Sequence, residues 1–423
     1  MRVLLISHTC QSPTEGQPRA VELANLPGID LRVLVPDRWK HYGQWRAPRP
    51  PDSPRFTYQV GRIALAWVGP AQFYLHWYPG LAEILRQFQP DVIDLWEEPW
   101  SMVSAQTCWL RRRLLPNTRI VSETEQNINK HLPFPFEAFR RYTLRNADYA
   151  IGRSTEALEV LRARGYTGPR EVIPNGVDTK LFRPLDNAQC REAVHAMVSP
   201  TQAPRPEPAP PALNSTKPFL VGYVGRLVDE KGLMDLVDAL PACPANTHLL
   251  FVGSGPLQPA LEARCRQLGI PHFQLSTLNP QALSELSIFN SQLSTVFLPS
   301  QPLEALPAIM NALDVLALVS RTTGHWKEQF GRVIAEAHAC GTPVIGSNSG
   351  AIPEVVGDGG IIVPERQPAA ITAAIERLSQ DPGLCQELGE RGRRRVEGWC
   401  TWEQVAVRLH DVYRKSLERG SGS

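Results

Sequence analysis

No apolar run in this chain approaches the ~18 residues that a membrane-spanning helix requires, so any work at a bilayer is expected to be peripheral. The eight cysteines, at positions 10, 108, 190, 243, 265, 340, 385 and 400, form no C-x-x-C pair and no metal-ligand spacing. They read as reduced thiols of a cytoplasmic protein, and MRVLLISHTC is too short an apolar start for a signal peptide. A G-x4-G-K-[ST] phosphate loop is missing, as is any Asp-x-Asp triplet to hold a catalytic metal. Gly253-Ser254-Gly255 runs on to Gln258 where a dinucleotide fingerprint carries its third glycine, which leaves a strand-to-helix turn rather than a nicotinamide site. Charge of one sign is scarce too: 44 Lys and Arg face 42 Asp and Glu, a net +2. No global field draws nucleic acid, and an anionic ligand has to be met by a local cluster.

What is present is enough for two or three domains: 423 residues, 43% of them apolar and 20% charged. Proline is abundant, and six of the 39 fall between Pro200 and Pro211, marking an extended linker or insertion over 185–216. The runs Arg111–Arg113 and Arg140, Arg141, Arg145 read as solvated helix faces. Val3–Ile6, a polar loop, a helix around Glu22–Leu26 and Leu31–Val35 give strand, loop, helix, strand, the opening of a parallel α/β sheet. Further strands are predicted at Val92–Trp96, Arg119–Val121, Tyr149–Gly152, Phe219–Tyr223, His248–Val252 and Asp314–Val319, with helices over 369–379, 384–398 and 402–417. The aromatics Trp39, Trp45, Tyr58, Trp67 and Phe73 stand among basic residues; burial in a core or hairpin is the stronger reading of each.

The most informative stretch is WKEQFGRVIAEAHACGTPVIGSNSGAIPEVVGDGGIIVP, from Trp326 to Pro364. It predicts a loop holding Glu328, a helix from about Gln329 to Cys340 stopped by Gly341, and strands at Pro343–Gly346 and Gly360–Val363. Such a helix places Glu328 and Glu336 roughly 12 Å apart. The N–H groups of Gln329, Phe330, Gly331 and Arg332 then face an anion, and Gly331 admits it closely. His325 and His338 read as surface and packing residues. This ordered run, with E-x7-E, A-C-G-x-P-V and G-x-x-E-V-V-x-D-G, resembles the donor-site signature of the retaining family-4 glycosyltransferases.

That resemblance implies the GT-B architecture, an α/β fold of two Rossmann-like domains facing across a cleft. The expected divisions are 1–184 with the terminal helix 399–417 on the acceptor side, and 217–398 as the nucleotide-sugar domain, joined through Ile173-Pro174-Asn175-Gly176-Val177-Asp178. It implies a hexosyltransferase that needs no metal or cofactor, takes a nucleoside diphosphate sugar as co-substrate and retains its anomeric configuration. Gly225, Arg226 and Lys231 then bind the diphosphate. Glu328 holds the sugar and Glu336 the ribose, with Phe330, Gly331 and Arg332 at the helix mouth.

On the acceptor side, Glu97 and Glu98 follow one strand and Gln126 another, where ligands approach an open sheet. They orient or deprotonate a hydroxyl, or else cap and pair locally. Many members carry a histidine at one of these strand ends and a glycine pair in the first loop. Here the loop has Thr14-Glu15-Gly16, and Gly16 alone offers close approach. Pro299 replaces the glycine expected after Phe297-Leu298 in the loop over the base, so the base is not legible. Sugar, acceptor, oligomeric state and contact with a membrane surface are open as well. Two other readings fit parts of the pattern: a nucleotide-sugar epimerase, which needs no acceptor, and a non-catalytic sugar-nucleotide-binding subunit.

Overall fold

The computed structural model describes residues 1–41, 44–51, 55–65, 72–191, 218–274 and 293–419. Trp67, the six prolines of 200–211, the rest of the expected linker beyond Arg191 and the terminal Gly-Ser-Gly-Ser lie outside them. The chain divides into two units, Met1–Gly176 with Trp399–Ser423, and Val177–Gly398.

In the first unit seven strands form one parallel sheet: β1 (Arg2–Ile6), β2 (Asp30–Pro36), β5 (Thr57–Gly61), β6 (Val92–Leu95), β7 (Arg119–Thr124), β8 (Tyr149–Gly152) and β9 (Arg170–Val172). Their order is β5-β2-β1-β6-β7-β8-β9. A separate hairpin, β3 (Trp39–His41) with β4 (Gln44–Arg46), pairs antiparallel. The inner strands are almost wholly apolar, as they must be when helices cover both faces of a parallel sheet. Order along the sheet reverses between β1 and β6, which pair in register from Val3 with Val92 to Ile6 with Leu95.

The second unit repeats the scheme with β10 (Phe219–Val224), β11 (Thr247–Val252), β12 (His272–Gln274), β13 (Ser294–Leu298), β14 (Val315–Leu318), β15 (Val344–Ser347) and β16 (Gly360–Val363). The order is β12-β13-β11-β10-β14-β15-β16, all parallel, so the reversal falls between β10 and β14. In such sheets the crevice at the carboxyl ends of the strands flanking the reversal is where ligands bind.

The terminal helix Trp402–Glu418 belongs to the first unit, where it packs on the helix Gln17–Asn25 and buries Trp402, Val405, Leu409, Val412 and Tyr413 in the core. Gly176 lies under the Trp402 ring so closely that a Cβ would stand 2.2 Å from it. A buried ionic cluster completes the junction. Arg19 bonds both Asp94 and Glu123, Arg153 bonds Glu123, and the Tyr413 hydroxyl donates to Asp94 at 2.5 Å. Arg19 also lies over the Trp96 ring, 4.3 Å from its centre.

Two expectations need correction. Residues 185–191 are not linker: Leu185 N–H donates to the Asn311 side chain (2.7 Å), Asn187 to the Asn311 carbonyl (2.6 Å), and Arg191 pairs with Asp314, tying the segment to the second unit. The division therefore falls at Gly176–Val177, not after Pro184. Arg140 is not on a solvated face either; it is buried against Glu137 and the Lys130 carbonyl.

Candidate active site

At the end of β10 the chain turns through Gly225 at φ +149°, a conformation that disfavours a side chain. Asp229–Lys231 then makes one 3-10 turn that stops at Gly232, where a Cβ would stand 2.0 Å from the Val319 carbonyl oxygen. This glycine lets the turn press against the end of β14, and Lys231 thereby meets Glu328, 97 residues further on. Lys231 Nζ lies 2.6 Å from Glu328 Oε2, to which the Ser320 hydroxyl also donates at 2.9 Å. The Lys231 ammonium stands 4.8 Å from the centre of the Trp326 ring. Glu328 is 8% exposed, and its carbonyl accepts from Ala351 N at 3.0 Å, which fixes the loop. Arg321 supports the same corner, forked onto Asp235 at 2.6 and 2.8 Å with its N–H on the Glu230 carbonyl. Arg226 reaches the rim, half-exposed and 3.7 Å from Glu230.

The helix after Glu328 begins at Arg332, later than the Gln329 expected from the sequence, and ends at Ala339, one residue before the expected Cys340. Gly331 is its N-cap at φ +80° and Phe330 is buried at 4% exposure, so residues 328–331 approach as a loop. Within the helix, the N–H groups of Arg332 and Val333 precede the first bond of the turn, from Ile334 N to the Gly331 carbonyl at 2.8 Å. Glu328 and Glu336 accordingly do not share one helix, and the helical spacing between them does not apply. Glu336 lies one turn into the helix, 9% exposed, and its carboxylate makes no hydrogen bond to another described residue. Burial raises its pKa above 4.5, with Arg332 pulling it back. A buried carboxylate without a donor is costly unless a ligand or a proton supplies one.

In the first unit, the residues after β1 and β6 meet at the sheet's own reversal. Glu97 accepts from His8 N (2.7 Å), and both its oxygens lie within 2.9 Å of His8 Nδ1. His76 Nε2 stands 3.8 Å from the same carboxylate. Burial works against every charge here, but the pairing outweighs it for two groups: Glu97 is held below 4.5 and His8 above 6.5. His76 is lowered by its burial. His8 stacks on Trp39 with ring centres 4.4 Å apart, and Phe73 packs edge-on at 5.5 Å. Beside them opens a cavity of about 650 Å³, lined among others by His8, Glu15, Trp45, Arg46, Arg49 and Phe73.

The other acceptor-side candidates do not join this cavity. Glu98 turns away and accepts from the Thr124 hydroxyl (2.6 Å) and Glu125 N (2.8 Å), with burial raising its pKa to about 7. The Gln126 main chain caps the same turn through Thr124 Oγ1 at 3.1 Å. Gly16 is buried against its own loop: a Cβ would lie 2.6 Å from Cys10 N, so glycine is needed for the fold of the loop. His325 is exposed, and His338 is a packing residue between the Thr342 and Val356 carbonyls, its pKa lowered by burial to about 4.

The sequence reading missed His8, Ser320 and Trp326. His8 and Ser320 each stand two residues past an apolar strand, β1 and β14 respectively. That signal becomes specific only once strand order is known.

Two family models match the chain: "Glycosyl transferases group 1" over residues 206–395 and "Glycosyltransferase Family 4" over 22–181. Among curated proteins it is similar to the GDP-mannose-dependent alpha-(1-6)-phosphatidylinositol monomannoside mannosyltransferase of Mycolicibacterium smegmatis, 31% identical over 59% of this chain and 57% of that protein. It is also similar to the capsular polysaccharide biosynthesis glycosyltransferase CapM of Staphylococcus aureus, 26% identical over 59% of this chain and 55% of that one. The chain thus spans about half the length of the curated relatives it matches. Among solved structures, sucrose-phosphate synthase from Thermosynechococcus elongatus superposes with a TM-score of 0.68 at 22% identity, covering 99% of this chain and 100% of that one. Anabaena HepE in complex with UDP gives 0.67 at 16% identity, covering 98% and 100%. At these identities the likeness is one of fold.

Proposed function

We propose, for a chain that belongs to the family-4 glycosyltransferases with the GT-B fold, that it moves a hexose from a nucleoside diphosphate sugar to an acceptor hydroxyl, with retention and without a metal. The observation that carries this reading is the union of Lys231 with Glu328 at the end of β14, beside the mouth of the 332–339 helix. Cation, carboxylate and free N–H groups lie together at the strand reversal of one Rossmann-like sheet. Relatives and structural neighbours point the same way: one is a GDP-mannose-dependent mannosyltransferase and another has UDP bound.

In this mechanism Lys231 and Arg226 neutralise the diphosphate as it leaves, helped by the first N–H groups of the helix. Electrostatic stabilisation of developing charge is the largest lever that side chains alone can supply. Glu328 accepts from sugar hydroxyls while keeping Lys231 in place, and Glu336, whose carboxylate has no donor among the described residues, accepts from the ribose. The acceptor oxygen bonds to the anomeric carbon on the face the diphosphate leaves. The bond to phosphate breaks with its electron pair, and the acceptor proton passes to the leaving phosphate oxygen.

The test is a thermal-shift and hydrolysis screen of the full chain with a panel of nucleoside diphosphate sugars and bare nucleotides, in the presence of EDTA. Stabilisation by one sugar nucleotide, with slow hydrolysis, names the donor and supports metal independence. No shift with any member refutes the assignment of the site.

A further inference from the structure

We propose that the cavity beside His8 binds an anionic sugar or polyol, and that the acceptor therefore carries a phosphate or carboxylate; this rests on the transferase reading above. The cavity, about 650 Å³, is of the size that takes a small ligand. Among the described lining residues the charges are unbalanced: His8 is paired with Glu97, and Arg46 and Arg49 face Glu15. The imbalance continues along the sequence, since the stretch from Arg38 to Arg49 holds Arg38, Lys40, Arg46 and Arg49 and not one carboxylate.

These cations are available to a ligand. Arg46 and Arg49 are exposed, and neither guanidinium bonds a described residue. By contrast, Arg19 and Arg153 in the same unit are paired with carboxylates. His8 uses Nδ1 on Glu97, which leaves Nε2 without a partner among the described residues. Trp39 stacks on His8, is buried to 3% exposure, and its indole nitrogen has no acceptor among the described residues.

The apolar part of the lining fits the rest of such a ligand. Trp45 and Phe73 are exposed large aromatics on opposite elements, the β3–β4 hairpin and the helix Gln72–Leu75. A sugar or polyol presents C–H groups to aromatic faces and hydroxyls to edges, while its anion finds the arginine forks. Glu97 is a positioning residue here: it fixes the His8 ring and its donor direction without lining the cavity.

The experiment is titration calorimetry of the full chain with glucose 6-phosphate, glycerol 3-phosphate and glucuronate against glucose and glycerol. Sedimentation with phosphatidylcholine vesicles, with and without phosphatidylglycerol, runs alongside. At least one anionic ligand, free or as a lipid head group, is expected to bind at least about tenfold more tightly than its neutral counterpart. Added salt should weaken that binding. Vesicle binding without binding of the soluble anions assigns the site to a lipid head group, and the reverse assigns it to a free phosphate or carboxylate.

The R46A/R49A variant is expected to lose that preference while unfolding at the same temperature as the parent and keeping its stabilisation by the donor nucleotide. Equal binding of neutral and anionic ligands, no binding of any, or undiminished anion binding by R46A/R49A overturns the proposal. Failure of the transferase reading shows separately, as absence of any nucleotide response in the parent chain.

Discussion

Removing the Lys231 side chain takes its cation from Glu328, to which the Ser320 hydroxyl also donates, in a position 8% exposed to water. At the 2.6 Å separation of the pair, the gross attraction is about 6 kcal/mol for an effective dielectric constant of about 20. Desolvating two ions cancels much of this, so the intact pair contributes little net stability, whereas stranding one partner costs about 3–5 kcal/mol. The side chains keep 15% and 10% exposure, which places Lys231→Ala near the lower end, about 3 kcal/mol. Glu328→Gln added to it removes the charge that has lost its cation, so the double variant is expected to be more stable than Lys231→Ala alone. Urea unfolding of the four proteins at pH 7 measures this. Additive losses in the double variant refute the pairing argument. Transfer by Lys231→Ala and by Glu328→Ala should each fall at least about a hundredfold with the fold retained, and near-parental activity in both refutes the role assigned to the pair.

Three other perturbations test separate parts of the structure. Glu336 is raised above 4.5 by burial, so its ionisation destabilises the fold as pH rises through that raised value. Glu336→Gln should therefore raise the unfolding temperature of the unliganded chain at pH 8 more than at pH 5, while weakening sugar-nucleotide binding; a pH-independent effect contradicts this. For the His8–Glu97 pair, the raised His8 value gives stability that is full below 6.5 and lost as pH rises through the folded value. The lowered Glu97 value gives stability present above 4.5 and lost as pH falls through the folded value. Glu97→Gln should accordingly cost most between those two values, as measured by denaturant midpoints across pH, and a flat cost rules out the ion pair. Tyr413→Phe removes the hydroxyl that donates to buried Asp94. A loss of about 1–3 kcal/mol is expected, with no change in nucleotide binding; a neutral result shows that the cluster does not depend on the terminal helix.

Much of this protein follows from local sequence because the cause is local. Apolar runs such as Val3–Ile6 and His248–Val252 can be buried strands and little else, and β1 and β11 lie there, each one residue longer at its start. Tyr149–Gly152 and Gly360–Val363 match β8 and β16 from end to end. The 326–364 run carried the family because its residue order is specific. The helix start at Arg332 was misplaced because the left-handed Gly331 and the burial of Phe330 outweigh the favourable helix composition upstream.

Strand order is what the sequence could not supply. Apolar alternation says that β1, β6, β10 and β14 exist, but not that β1 lies beside β6 or β10 beside β14, since pairing between strands far apart in the chain is decided by packing of the whole sheet. Those two adjacencies bring His8 to Glu97 and Lys231 to Glu328, 89 and 97 residues apart. They also sort the acidic pair, since Glu97 and Glu98 follow the same strand and bond in opposite directions. Residue type and local pattern determined which chemistry the chain carries; the tertiary structure decided which of those groups meet, because an ion pair or hydrogen bond exists only within about 3 Å and only the assembled sheets bring these side chains that close.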